Sequence, residues 1–127
     1  MNNSLAVYEI LVNFFYDKKQ EYFYCLYLDT KNKLIEKKCL FIGTLNSSLV
    51  SPREIFREAY LVGANGIICV HNHPSGDSNP SKQDIEITRK LRELSKIHDI
   101  QFIDHVIFGN NNYFSYTENK IFWVSNS

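Results

Sequence analysis

The spacing of apolar and polar positions divides the 127-residue chain into helices of period near 3.6 and short apolar strands. Leu5, Tyr8, Leu11, Val12 and Phe15 fall on one face of a first helix, capped by Ser4 and ending near Asp17. Tyr22–Leu28 (YFYCLYL) is apolar on both alternating sets, the pattern of a strand covered on both faces near the middle of a sheet. A polar turn at 29–33 returns the chain as a hairpin partner over Leu34–Ile42, and 43–50 reads as loop. Ser51, Pro52 and Glu54 open a second helix as cap, first helical residue and capping-box partner, and Gly63 closes it. The apolar run at 67–70 (IICV) is a buried strand ending at His71. Ser81 starts a third helix, with Ile85, Thr88, Leu91, Leu94 or Ser95, and His98 inward and Lys82, Glu86, Lys90 and Glu93 outward. Gln101–Phe108 is a further strand, 109–112 a turn into 113–116, and 121–124 a last edge strand. The order predicts one mixed α/β domain around a central sheet, with no repeat and no linker.

Composition narrows the class. Apolar residues are 44% and aromatics 14%, enough for a filled core in a single domain over residues 1–127. Fourteen basic residues balance fourteen acidic ones, so no global positive field exists to hold nucleic acid or an anionic membrane. Cys25, Cys39 and Cys69 are odd in number, far apart and set in apolar runs, which suits reduced buried thiols and a cytoplasmic location. Glu9, Asn13 and Asp17 interrupt the apolar residues of the N-terminal segment, which argues against a signal peptide or membrane span.

The chemistry concentrates in residues 70–85, VHNHPSGDSNPSKQDI. His71 and His73 are two apart, so in extended backbone both imidazoles point to one side and can reach one ion. Pro74, Ser75, Gly76 and Pro80 make a loop that can bring the start of the third helix beside the strand end, with Asp84 in its first turn. Two histidines and an aspartate form the three-ligand set of a catalytic zinc, whose fourth position is left to water. The same Ser81 and Asp84 also read as a plain S-x-x-D helix cap. The string His71-Asn72-His73 is not an HNH nuclease motif, whose three residues lie well apart in sequence.

H-x-H, seven residues, then S-x-x-D matches the motif of the JAMM (JAB/MPN) metalloproteases at His71, His73, Ser81 and Asp84. With Pro52-Arg53-Glu54, the HNHPSG run from His71 to Gly76, Pro80 and Asp104-His105, the chain resembles the RadC-like branch of that family from about Glu21 to Ser115. The resemblance implies a JAMM/MPN-like (cytidine-deaminase-like) fold, a curved sheet flanked by helices. It implies one Zn2+ per chain on His71, His73 and Asp84, and a catalytic glutamate upstream. Glu21, just before an apolar strand, fits that placement; Glu54 and Glu58 are rivals, explained otherwise as a cap partner and a solvated helical charge. Zinc would acidify water and polarise a carbonyl, Glu21 would carry the proton to the leaving amine, and Ser81 would donate to the oxyanion.

The implied activity is hydrolysis of a peptide or isopeptide bond in a peptide or protein substrate, such as the tail of a small modifier. The alternative is a DNA-repair-associated accessory or protein-binding module with a structural or vestigial metal. Longer relatives carry a helix-hairpin-helix segment ahead of the domain, for which this chain has no room before Glu21, and its charge balance opposes direct DNA binding. Asp104-His105 reads as a strand aspartate paired with a neighbouring imidazole in preference to a fourth ligand, Asp77 as a turn former, and His98 as a helix C-terminal charge or cap.

Overall fold

A computed structural model describes residues 3–124 as three helices and six strands: α1 (Ser4–Phe15), β1 (Tyr22–Leu28), β2 (Leu34–Ile42), α2 (Pro52–Val62), β3 (Gly66–Asn72), α3 (Lys82–Ile97), β4 (Gln101–Phe108), β5 (Asn112–Ser115) and β6 (Lys120–Trp123). The strands form one open sheet in the order β2-β1-β3-β4-β5-β6. All neighbours are antiparallel except β3 and β4, which run parallel because α3 carries the chain from the end of one back to the start of the other. This mixed α/β sheet is consistent with a JAB/MPN fold.

Each face of the sheet buries its own apolar layer. Phe23, Cys25, Tyr27, Ile67 and Cys69 pack under α2 and α3 with Ile55, Phe56, Ile87 and Leu91. Leu26, Leu28, Ile68, Val70, Val106 and Phe108 pack under α1 with Val7, Leu11 and Phe15. Neighbouring residues of β1 and β3 thus serve opposite cores, which is why these strands read as unbroken apolar runs.

The predicted elements form, with local corrections. Asn3 caps α1, its side chain accepting from the Ala6 N–H, whereas Ser4 is buried and donates to Glu118. Leu5 is 48% exposed, and Val7 takes the inward place assigned to it. In α3 the inward row is Asp84, Ile87, Thr88, Leu91 and Ser95, so Ile85 is turned out at 41% exposure. A carboxylate replaces an aliphatic residue on that face, rotating the apparent stripe by one position. Ser51 caps α2 as expected and Gly63 ends it in the left-handed conformation, at φ 69°. Among the described residues no helix is long and apolar enough to cross a membrane.

Candidate metal centre

Three elements converge at the C-terminal end of β3. The strand alternation that buries Ile67 and Cys69 under α3 places His71 on the same face, 1% exposed. The His73 N–H continues the pairing by donating to the Phe108 carbonyl at 2.8 Å. Ser81 Oγ then caps α3 by accepting the Asp84 N–H at 3.1 Å, while Asp84 Oδ2 accepts the Ser81 N–H at 2.7 Å. This reciprocal capping box fixes the Asp84 carboxylate inward, fully buried. The cap and the chemical reading of Ser81 and Asp84 are therefore compatible.

The intervening loop is held against the β4–β5 turn. The Gly76 carbonyl accepts from the Asn110 N–H at 2.9 Å and from Asn112 Nδ2 at 3.0 Å. Gly76 lies at φ 94°, and a side chain on Gly109 would come within 2.5 Å of the Gly76 carbonyl. Asp77 makes the expected turn, accepting from the Asn79 N–H, and its own carbonyl lies 2.8 Å from His73 Nδ1.

Asp84 stands between the two imidazoles. Oδ1 is 3.0 Å from His71 Nδ1, and Oδ2 is 3.0 Å from His73 Nε2. Glu21 Oε1 lies 3.1 Å from His71 Nε2, yet that buried nitrogen has no hydrogen bond of good geometry. Burial opposes ionisation of Asp84, but the two imidazoles and the Ser81 N–H outweigh it and hold the carboxyl well below the usual range. Burial would likewise depress His71, but Asp84 and Glu21 raise it. His71 in turn holds Glu21 below the usual carboxylate range.

A carbonyl only accepts, so the Asp77 oxygen fixes the Nδ1–H tautomer of neutral His73 and turns the Nε2 lone pair onto Asp84. Neutral His71 has one N–H for two facing carboxylates. At least two of these short contacts therefore place lone pairs against each other unless extra protons or a cation lie between them. Imidazole nitrogens and carboxylate oxygens form the donor set that divalent zinc takes, so the residues fit. Among the described residues, donor atoms of Glu21, His71 and His73 lie within 4.8 Å of one another, and likewise those of His71, Asp84 and His105; the expected set His71, His73 and Asp84 is not such a group, because Asp84 meets the two imidazoles through different oxygens.

Of the three candidate glutamates, Glu21, Glu54 and Glu58, only Glu21 comes to the imidazoles. Glu54 is exposed in the first turn of α2. Glu58, expected to be solvated, is half-buried against Lys38 at 3.5 Å and against Glu36. Asp104 does not pair with an imidazole. It and His105 are successive residues of β4 and serve opposite faces. The Asp104 carboxylate accepts the His105 backbone N–H at 2.7 Å, the Ser115 hydroxyl at 2.6 Å and the Thr117 N–H at 3.0 Å. The His105 ring lies on the α3 side, 2.7 Å from Thr88 Oγ1 and stacked on Tyr116. His98 ends α3, stacked on Phe56 and hydrogen-bonded to Tyr60.

Asn72 is a contributor the sequence pattern did not single out. It is buried, its Oδ1 accepting the Tyr22 N–H at 2.6 Å and its Nδ2 donating to the Gln20 carbonyl at 3.0 Å. These two bonds flank Glu21 and hold it beside His71. The available signal was an amide amid an apolar strand, where an unpartnered side chain would be costly.

Fold and site geometry together define a JAB-type domain. The model of the RadC-like JAB domain matches residues 1–121, and the chain belongs to that family. It is 52% identical over 100 residues to UPF0758 proteins of Bacillus cereus (strain AH187), Bacillus anthracis (strain A0248) and Bacillus thuringiensis subsp. konkukian (strain 97-27). Those matches cover 79% of this chain and 44% of each relative, so the chain spans less than half the length of the curated relatives it matches.

Proposed function

We propose that the domain is a zinc-dependent hydrolase of peptide or isopeptide bonds, with His71, His73 and Asp84 holding one ion. The observation that carries this reading is the Asp84 carboxylate wedged 3.0 Å from both imidazoles, with Glu21 on the far nitrogen of His71. Zinc held there would acidify water and polarise the scissile carbonyl. Glu21, kept ionised by His71 and partly open to solvent, takes the proton and returns it to the departing nitrogen. Ser81 uses its oxygen as acceptor in the helix cap, which leaves its hydroxyl hydrogen free to donate to the carbonyl oxygen as charge develops. A contact of that type contributes about 3 kcal/mol in other enzymes.

An extended peptide or protein tail suits the surroundings. A cleft of about 240 Å³ opens between the end of α1 and the loop at 74–76, lined by Phe15, Phe108 and Asn110, and it adjoins the proposed centre through His73 alone. The balanced charge of the chain favours such a substrate over direct DNA contact.

The test is hydrolysis of fluorogenic peptide and isopeptide pools by the zinc-loaded protein. Glu21→Gln is expected to keep the metal and lose roughly 10²–10⁴-fold in rate. Equal rates in parent and variant would refute the assignment.

A further inference from the structure

We propose that the domain carries a second ligand site, remote from the metal centre, for a small organic anion with an apolar body, such as an aryl carboxylate or an aryl phosphate monoester. It lies at the N-terminal ends of β3 and β4, lined by Asn65, Gln101 and Phe102 from the strand side and by Arg92, Ser95 and Lys96 from α3. The seven residues of β3, about 20 Å of strand, run between it and the metal centre. The two sites therefore stand or fall separately.

Size, charge and an unfilled hydroxyl carry the inference. The cavity measures about 600 Å³, against about 240 Å³ for the cleft at the end of α1, and falls in the range of about 300–1,000 Å³ that holds small organic molecules. Arg92 and Lys96 stand one turn apart on α3, where like charges repel, and among the described residues neither makes an ion pair. Asp99, the one carboxylate in the lining, pairs with neither of them. Ser95 is 1% exposed and its Oγ has no hydrogen-bond partner, an uncommon state for a buried hydroxyl. Because Ser95 also lines the cavity, a bound acceptor can supply that partner after a turn about χ1.

The lining sorts into complementary parts. Ile100 and Phe102 offer apolar surface, and the Arg92 guanidinium lies over the Phe102 ring at 5.9 Å, close to where an apolar body would rest. A guanidinium forks onto two oxygens of a carboxylate or phosphate, and the Lys96 ammonium adds a point charge. The C-terminal pole of α3 would oppose an anion, but its carbonyls are occupied: those of Leu94, Ser95 and Lys96 accept the N–H groups of His98, Ile100 and Asp99 at 3.0, 3.0 and 3.3 Å. Two cations against one carboxylate then leave the lining with a positive excess that favours an anion.

The experiment is a titration of the full chain with phenyl phosphate, phenylacetate, inorganic phosphate and benzyl alcohol, followed through backbone amide chemical shifts. At least one aryl anion is expected to saturate the amides of Ser95, Ile100 and Gln101 with a Kd of about 1 mM or below, roughly tenfold tighter than inorganic phosphate or benzyl alcohol. The relative affinity of phenyl phosphate and phenylacetate then separates a phosphate ligand from a carboxylate. Arg92→Gln and Lys96→Gln, both at exposed positions, are each expected to weaken that probe by about fivefold. Ser95→Ala is expected to weaken it without lowering the melting temperature of the free protein, since an unpartnered hydroxyl is removed; a role in packing alone would lower that temperature and leave the affinity unchanged. No saturation by about 10 mM of either aryl anion, benzyl alcohol binding as tightly as the anions, or full affinity in the Arg92→Gln/Lys96→Gln double variant would each overturn the proposal. Should the double variant fail to fold, full affinity in both single variants overturns it instead.

Discussion

Asp104 and His105 are adjacent in β4, yet they belong to two buried polar clusters of opposite character. On the α1 side the Asp104 carboxylate receives three donors, from the His105 backbone, Ser115 and Thr117. On the α3 side Asp84 and Glu21 face imidazole nitrogens that, in the neutral rings, have too few hydrogens to serve them, and His105 Nε2 has no hydrogen-bond partner. The first cluster is complete within the protein and holds the β4–β5–β6 corner together. The second is completed only by added positive charge. Burial and hydrogen-bond distance are similar in the two, so the balance of donors and acceptors, rather than polarity alone, is what distinguishes them.

The largest effect that sharpens this contrast is expected from Asp104→Ala. It strands two backbone N–H groups and a hydroxyl, and should cost about 3 kcal/mol in denaturant unfolding with zinc stoichiometry unchanged in the folded protein. Loss of zinc with little loss of stability would reverse the roles assigned to the two clusters.

Acid should weaken the second cluster through His105. Burial holds this imidazole down at about 3, against 6.5 when unfolded, so the unfolded chain binds the extra proton first. In metal-free protein its contribution is fully present above 6.5 and is lost as pH falls towards 3. The slope is about 1.4 kcal/mol per pH unit at most. Chemical unfolding of the parent at a series of pH values should show that slope, and His105→Gln should flatten it. Parallel curves would contradict the stated protonation.

The smallest effect concerns α3, the helix that carries Asp84 of the second cluster. Because Asp84 takes the inward place and Ile85 is 41% exposed, Ile85→Ser should cost only about 1 kcal/mol. A loss of several kcal/mol would mean that α3 is rotated and that Asp84 does not face the imidazoles.

Most elements were legible because their signals are local. Ser51, Pro52 and Gly63 mark α2 by capping chemistry, and unbroken apolar runs mark β1 and β3, each of which serves two cores. The meeting of His71, His73 and Asp84 was also legible, since strand alternation and a capping box determine where those side chains point. Hidden features depend on particular partners, several of them distant in sequence. Ser4 looked like a cap, but Glu118, distant in sequence, claims its hydroxyl. Ile85 looked inward because apolar periodicity does not anticipate a buried carboxylate. Asn72, Thr88 and the Asp77 carbonyl orient Glu21, His105 and His73 through bonds that no motif encodes.

The central claim is that the α3-side cluster is completed by a cation. Elemental analysis of purified protein after zinc supply and dialysis, beside Asp84→Asn, tests it most directly. The account predicts about one zinc per chain in the parent and little in the variant, whose amide still caps α3 but cannot bridge both imidazoles as a carboxylate. Equal zinc in both proteins, or none in the parent, would contradict it.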